Sequence, residues 1–138
     1  KDGWLRVIDY KTGNTSQRFS SVESLFNAGS GSRNRSAMQV LFYTWLVSAQ
    51  HSGERIRPGL YVMRELYAED FDPGLRMKSS DGFVSVDHFG SLEEEFVAHL
   101  EKVLAEIFDP GIPFIRTENE DLCRNCYFAG ICSRVSVE

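Results

Sequence analysis

The sequence has few cysteines, no long apolar run and no excess of basic residues. Each of these absences excludes a class of protein. Its three cysteines all lie between residues 123 and 132. An odd number in one short segment argues against a disulfide framework and favours metal binding in a reducing compartment. No apolar run is long enough to span a bilayer and no signal-peptide pattern is present, so we expect a cytoplasmic protein without membrane association.

The length and charge of the chain set two further bounds. A chain of 138 residues with 42% hydrophobic content can bury a sizeable core, which fits one domain over residues 1–138. Its 15 basic and 20 acidic residues give a formal net charge of −5. If this protein binds nucleic acid, the binding surface must be a small basic area, because the chain as a whole is acidic.

An acid and a lysine lie together near the amino terminus. Residues 4–11 are predicted to form a strand, because Val7 and Ile8 are β-branched and turn residues follow. Side chains alternate along a strand, so Asp9 and Lys11 project from one face and Tyr10 from the other. Such a pair can hold a metal and position a water. The alternative is an exposed salt-bridged pair at a strand end.

A predicted apolar helix carries two polar side chains on one stripe. It runs from Ser36, a plausible N-cap, towards Gly53. Gln39 and Tyr43 are four residues apart on it and therefore share a face. They could belong to a functional site or form a structural hydrogen-bonding pair, because buried amides and phenols need partners.

The cysteines form a third motif. Two residues separate Cys123 from Cys126, and five separate Cys126 from Cys132. This spacing suits thiolates that bind zinc or an iron–sulfur cluster from a tight loop. A fourth ligand is needed, and either a histidine or a residue outside this chain would supply it.

The remaining pattern predicts an α/β domain whose central sheet mixes parallel and antiparallel strands. A short helical turn is expected within residues 14–35, and a chain break at residues 57–59. Strands are expected at residues 60–63, continuing towards Leu66, and at residues 83–86, with a turn-rich stretch over residues 69–82 between them. An amphipathic helix is expected to begin at a Ser91 cap and to stop at residues 109–111.

The three motifs, in this order, resemble the PD-(D/E)XK nuclease superfamily. More narrowly they resemble its RecB-type exonuclease branch, which includes AddB carboxyl-terminal domains and CRISPR adaptation nucleases with an iron–sulfur clasp. The resemblance implies a restriction-endonuclease-like core with a mixed central β-sheet flanked by helices. It also implies metal-dependent, exonuclease-type hydrolysis of DNA within a recombination or repair helicase–nuclease system.

The resemblance implies a role for each matching residue. Asp9 would bind a metal, with the Tyr10 backbone carbonyl as a second ligand. Lys11 would orient or activate the attacking water and steady charge on the phosphate. Gln39 and Tyr43 would support the site and touch substrate.

The resemblance also implies cofactors and partners. Mg²⁺ or Mn²⁺ would be the catalytic metal, because hard ions prefer carboxylate and carbonyl oxygens. A 4Fe–4S cluster would occupy a cysteine-rich clasp over residues 122–134 in the intact protein. A helicase subunit would be the protein partner. Apart from the resemblance, Arg33 and Arg35 lie near the proposed site in sequence, and they contact either phosphate or only solvent.

The sequence departs from this family's pattern at its start. The first metal-binding carboxylate and the first cluster cysteine should precede the Asp-x-Lys strand, so we expect an amino-terminally truncated fragment with little or no activity alone. A catalytically decayed DNA-binding or scaffold module, with a structural clasp, is the alternative. A small zinc-stabilised interaction domain is a third hypothesis.

Overall fold

The computed structural model describes residues 3–27, 33–124 and 126–134. In chain order, its strands and α-helices are β1 Leu5–Lys11, β2 Arg18–Phe19, α1 Val22–Phe26, α2 Arg35–Ser48, β3 Ile56–Val62, β4 Arg76–Ser79, β5 Gly82–Ser85 and α3 Glu93–Phe108. Single turns of 3-10 helix cover Phe89–Ser91 and Glu120–Cys123.

Strands β1 and β3 pair in parallel, in a register that runs from Leu5 opposite Ile56 to Lys11 opposite Val62. Parallel neighbours need a crossover connection, because the chain must return to the same end of the sheet. Helix α2 lies in that connection and packs on both strands. The strand with the acid and the lysine is therefore covered by the helix with the glutamine and the tyrosine.

Strands β2, β4 and β5 form a second group, which contains both parallel and antiparallel pairs. Strand β4 pairs with β2 in parallel and with β5 in antiparallel orientation. An antiparallel bridge between Gly59 and Gly74 connects this group to β3, and the Leu60 N–H donates to the Pro73 carbonyl at 2.8 Å. The expected α/β class, with parallel and antiparallel strands flanked by helices, is confirmed.

Apolar side chains from all three helices and both strand groups form the core. Its fully buried members are Val22, Leu25, Ala37, Val40, Leu41, Leu60, Leu75, Phe89 and Phe96. Thr44 is the buried polar residue of α2, and its hydroxyl donates to the Val40 carbonyl at 2.7 Å. This bond satisfies a group that would otherwise be costly to bury.

Two helix starts differ from the sequence prediction. Asn34, not Ser36, caps α2, because its Oδ1 accepts from the Ala37 N–H at 2.9 Å. Helix α3 begins at Glu93, and its N-cap Leu92 makes no side-chain capping bond. The Ser91 hydroxyl instead donates to the His88 carbonyl within the preceding 3-10 turn.

The predicted break at residues 57–59 is wrong, because these residues lie inside β3. The Leu5 N–H donates to the Arg55 carbonyl, and the Lys11 carbonyl accepts from the Met63 N–H. In a parallel pair, alternate residues of a strand bond to the neighbouring strand. In β3 the N–H groups that donate to β1 therefore belong to odd-numbered residues. Pro58 is even-numbered, so the N–H that proline lacks is not needed there. The stretch expected to be turn-rich also contains β4.

No helix in the described part of the chain is both long enough and apolar enough to cross a membrane.

Gly59→Ala should destabilise the fold, because an added Cβ would lie 2.9 Å from Ile8 Cδ1 and 2.9 Å from the Pro73 carbonyl oxygen. Overpacking of this kind costs about 1–3 kcal/mol in the free energy of unfolding. Gly13→Ala is the matched control, since nothing lies within 4 Å of its Cβ position. Urea unfolding of the two variants measures the difference, and equal stabilities would contradict the close packing at Gly59.

Candidate active site

The carboxyl end of β1 carries the predicted charged pair of Asp9 and Lys11. Lys11 Nζ lies 2.8 Å from Asp9 Oδ2, and the two side chains are 24% and 17% exposed, respectively. Both residues are odd-numbered members of β1, so the alternation of the strand directs them to the same face. A pair this sheltered interacts more strongly than a pair on an open surface.

Helix α2 extends this pair into a network. Lys11 Nζ donates to Gln39 Oε1 at 2.5 Å, and Gln39 Nε2 donates to the Tyr43 hydroxyl at 2.7 Å. The i, i+4 spacing of Gln39 and Tyr43 is what allows the second bond. We refer to Asp9, Lys11, Gln39 and Tyr43 as the polar network. The structure brings all four side chains into one hydrogen-bonded or ion-paired series.

The Asp9 carboxylate is not fully satisfied. Its Oδ2 is buried and accepts no hydrogen bond of acceptable geometry from the described residues, although the Lys11 ammonium is 2.8 Å away. The short distance makes the contact an ion pair, while the angles keep it from being a hydrogen bond. A buried, under-coordinated carboxylate oxygen is a suitable ligand for a hard cation. Asp9 could contribute one oxygen ligand to a divalent metal, but among the described residues no group of three His, Cys, Asp or Glu side chains forms around it.

The side chain of Tyr10 is exposed, and its backbone carbonyl faces the edge of β1 that does not pair with β3. The side chain is 64% exposed, and its ring lies 5.2 Å from the Tyr61 ring, centroid to centroid. Odd-numbered residues of β1 bond to β3, so the Tyr10 carbonyl faces the other edge of the strand. No described strand pairs with that edge. The Tyr10 carbonyl is therefore not used in strand pairing among the described residues.

Arg33 and Arg35 lie beside the polar network. Both line a groove between α1, α2 and α3, and Gln39 lines the same groove. The apolar walls of this groove were not predicted from the sequence. The i, i+4 spacing of Arg35, Gln39 and Tyr43 was a signal for a shared helix face, but the contribution of α3 was not visible in any local pattern.

Among the described residues, the cysteines take no part in the polar network. Cys123, Cys126 and Cys132 are all free thiols, and the first two line a hollow of about 660 Å³ that also contains Glu120, Arg124 and Arg134. Among the residues that the structure describes, no three His, Cys, Asp or Glu side chains form a group that could hold a metal. The predicted clasp therefore stays a prediction.

Comparison with known proteins identifies the family of this chain. The family model of the PD-(D/E)XK nuclease superfamily matches residues 1–133, nearly the whole chain. The protein belongs to the PD-(D/E)XK nuclease superfamily. Members of this superfamily are metal-dependent nucleases that typically use Mg²⁺ or Mn²⁺. Searches of curated proteins and of solved structures gave no match.

Lys11→Met should destabilise the protein by about 1–3 kcal/mol, because it leaves the Asp9 carboxylate buried without its counter-charge. Asp9→Asn removes that charge, so the double variant should lose less stability than the two single losses added together. Chemical unfolding of the wild type, the two single variants and the double variant measures this coupling. Strictly additive losses would show that the ion pair contributes nothing to folding.

Proposed function

We propose that the protein is a metal-dependent deoxyribonuclease of the RecB type that hydrolyses phosphodiester bonds as an exonuclease. The observation that carries this proposal is the polar network, in which an acid and a lysine form an ion pair on one face of β1 and the lysine donates to the glutamine of α2. The order of the Asp-x-Lys, Gln-x-x-x-Tyr and cysteine motifs supports the RecB-type assignment.

In this proposal Asp9 and the Tyr10 carbonyl hold the metal. Mg²⁺ is usually bound by one or two carboxylates and keeps several waters, so a small protein ligand set is sufficient in principle. When bound, such an ion lowers the pKa of a coordinated water and shields negative charge on the phosphate. Only Asp9 contributes a carboxylate to the polar network, so we expect weak metal affinity and slow cleavage by residues 1–138 alone.

Lys11 is the group proposed to act on the reacting atoms. Its ammonium can donate to the attacking water and to a phosphate oxygen as negative charge accumulates there. Gln39 positions the ammonium by accepting a hydrogen bond from it at 2.5 Å. The Tyr43 hydroxyl accepts from Gln39 Nε2 and so fixes which end of the amide faces Lys11. Gln39 and Tyr43 are therefore positioning residues in this mechanism, and substrate contact is an additional role for them.

Asp9→Asn and Lys11→Met should separate metal binding from catalysis. We expect Asp9→Asn to weaken Mn²⁺ binding at least about tenfold and to abolish cleavage, because the carboxylate ligand is lost. Lys11→Met should retain Mn²⁺ binding but slow cleavage about 10²–10⁴-fold. Electron paramagnetic resonance measures free Mn²⁺, and an end-labelled linear DNA reports cleavage and its direction.

Asp81→Asn and Lys78→Met are matched controls, because both side chains are exposed on the β4–β5 hairpin. They should leave Mn²⁺ binding and cleavage unchanged. Unaltered cleavage in Asp9→Asn would contradict the proposed metal site. DNA binding by the wild type without Mn²⁺ binding or cleavage would instead favour a decayed scaffold module.

We also propose that residues 122–134 bind an iron–sulfur cluster in the intact protein, with a fourth ligand from elsewhere, and that a helicase subunit delivers the DNA. Support comes from the cysteine spacing and from the local backbone. The Cys126 N–H donates to the Cys123 carbonyl, and the Cys132 N–H donates to the Ala129 carbonyl. Each of these bonds closes a tight turn at a cysteine, and metal binding commonly completes the folding of such segments.

Anaerobic reconstitution with iron and sulfide tests the clasp. A cluster would give a brown protein with broad visible absorption, and Cys126→Ser should lose that absorption. Ser133→Ala is the matched control, since Ser133 adjoins Cys132 but carries no thiol. A colourless protein that takes up zinc would show that the clasp is a zinc site.

A further inference from the structure

A groove of about 390 Å³ lies beside the polar network, between α1, the first half of α2 and α3. Its apolar lining consists of Leu25, Phe26, Met38, Phe42, Leu100 and Val103. Gln39 lines it as well, and the same amide accepts the hydrogen bond from Lys11. The groove and the polar network therefore share one side chain.

The charged side chains that line the groove are all basic. Arg33 and Arg35 line it, and no aspartate or glutamate is among its described lining residues. Within the described ranges, neither guanidinium has an ion pair or a hydrogen bond. Two unpaired guanidinium groups beside an apolar wall complement a ligand that combines an apolar face with a negative charge.

The neighbouring surface limits where that negative charge can lie. Phe26 and Val103 also line an adjoining hollow of about 230 Å³, whose charged lining residues are Glu23, Glu106 and Lys102. Its two carboxylates outnumber its one ammonium, so this hollow is less favourable to a phosphate than the side of the groove with Arg33 and Arg35. An anionic ligand in the groove would therefore keep its phosphate at the Arg33 and Arg35 side.

The spacing along α2 relates the groove to the proposed reaction. Arg35, Gln39 and Tyr43 follow one another at intervals of four residues, which is about 6 Å along a helix. This is comparable to the separation of adjacent phosphates in an extended single strand. A strand that lies along α2 could thus place one phosphate at Arg35 and the next beside Lys11 and Gln39.

We propose that this groove is a nucleobase subsite, which takes one unstacked base of a single-stranded DNA while Arg33 and Arg35 bind the adjoining phosphate. The inference rests on the proposed nuclease function and adds a substrate class to it. Aromatic and apolar walls bind the face of any base without reading its sequence. A base inside a duplex stack cannot enter the groove, so single strands or frayed ends are the expected substrates.

An abasic scan tests this subsite. The probes are ten-nucleotide oligodeoxythymidylates, each with one abasic residue at a different position, and their affinities are measured without divalent metal. The wild type should bind one of these probes at least about fivefold more weakly than the intact oligonucleotide, because one stacked base is lost. Phe42→Ala should remove that position-specific penalty. Arg35→Ala should weaken binding of every probe equally and keep the penalty.

Leu46→Ala is the matched control, because Leu46 is an exposed apolar residue of α2 that does not line the groove. It should bind all probes as the wild type does. Circular dichroism and thermal unfolding check that each variant folds. If Phe42→Ala does not fold, Met38→Gln replaces it, because it makes the same wall polar without removing an aromatic ring.

The two proposals fail in different ways. Equal affinity for every abasic probe, in a wild type that binds Mn²⁺ and cleaves DNA, would overturn the base subsite and leave the nuclease function standing. A penalty that persists unchanged in Phe42→Ala would place the base elsewhere and also overturn it. A wild type that neither binds the oligonucleotide nor cleaves DNA would overturn both.

Discussion

The parallel pairing of β1 with β3 is the constraint on which the candidate site depends. Parallel strands require a crossover, and α2 lies in the connection and packs over the strand that carries Asp9 and Lys11. The helix stays in register with the strand because its apolar face, including Val40 and Leu41, is fully buried. Gln39 is adjacent to that buried face and reaches Lys11 from it. Core packing thus sets the geometry of the polar groups.

A net charge of −5 would disfavour binding of a polyanion, but the charge near the candidate site differs from that of the whole chain. Glu93, Glu94 and Glu95 lie in the first turn of α3, where negative charge is favoured by the helix dipole. Arg33 and Arg35 instead share a groove with Gln39. Electrostatic attraction between a phosphate and a guanidinium falls off over about 8–10 Å at physiological salt. The nearby arginines therefore matter more to a bound strand than the total charge does.

The sequence was sufficient to predict the parts of the fold that depend on short-range order. The Asp-x-Lys strand, the helix with Gln39, and the α/β class follow from periodicity and turn residues. Pro58 was misread because proline usually interrupts a strand, and only the pairing direction shows that its missing N–H is not required. The groove was not predicted because it joins Phe42 to Leu100 and Val103, and packing between elements so distant in sequence leaves no local signal.

Lys11 balances the charge of Asp9 in the fold and is also the residue to which we assign the proposed chemistry. A buried carboxylate needs a counter-charge, and in this structure the ammonium supplies it at 2.8 Å. A cation held by Asp9 would meet the same need, and Lys11 would then be free to donate elsewhere. Gln39 Oε1 would still hold the ammonium next to the site, since the bond from Lys11 to Gln39 does not involve Asp9. In the proposed mechanism, Gln39 would thus keep Lys11 in position whether or not Asp9 holds a cation.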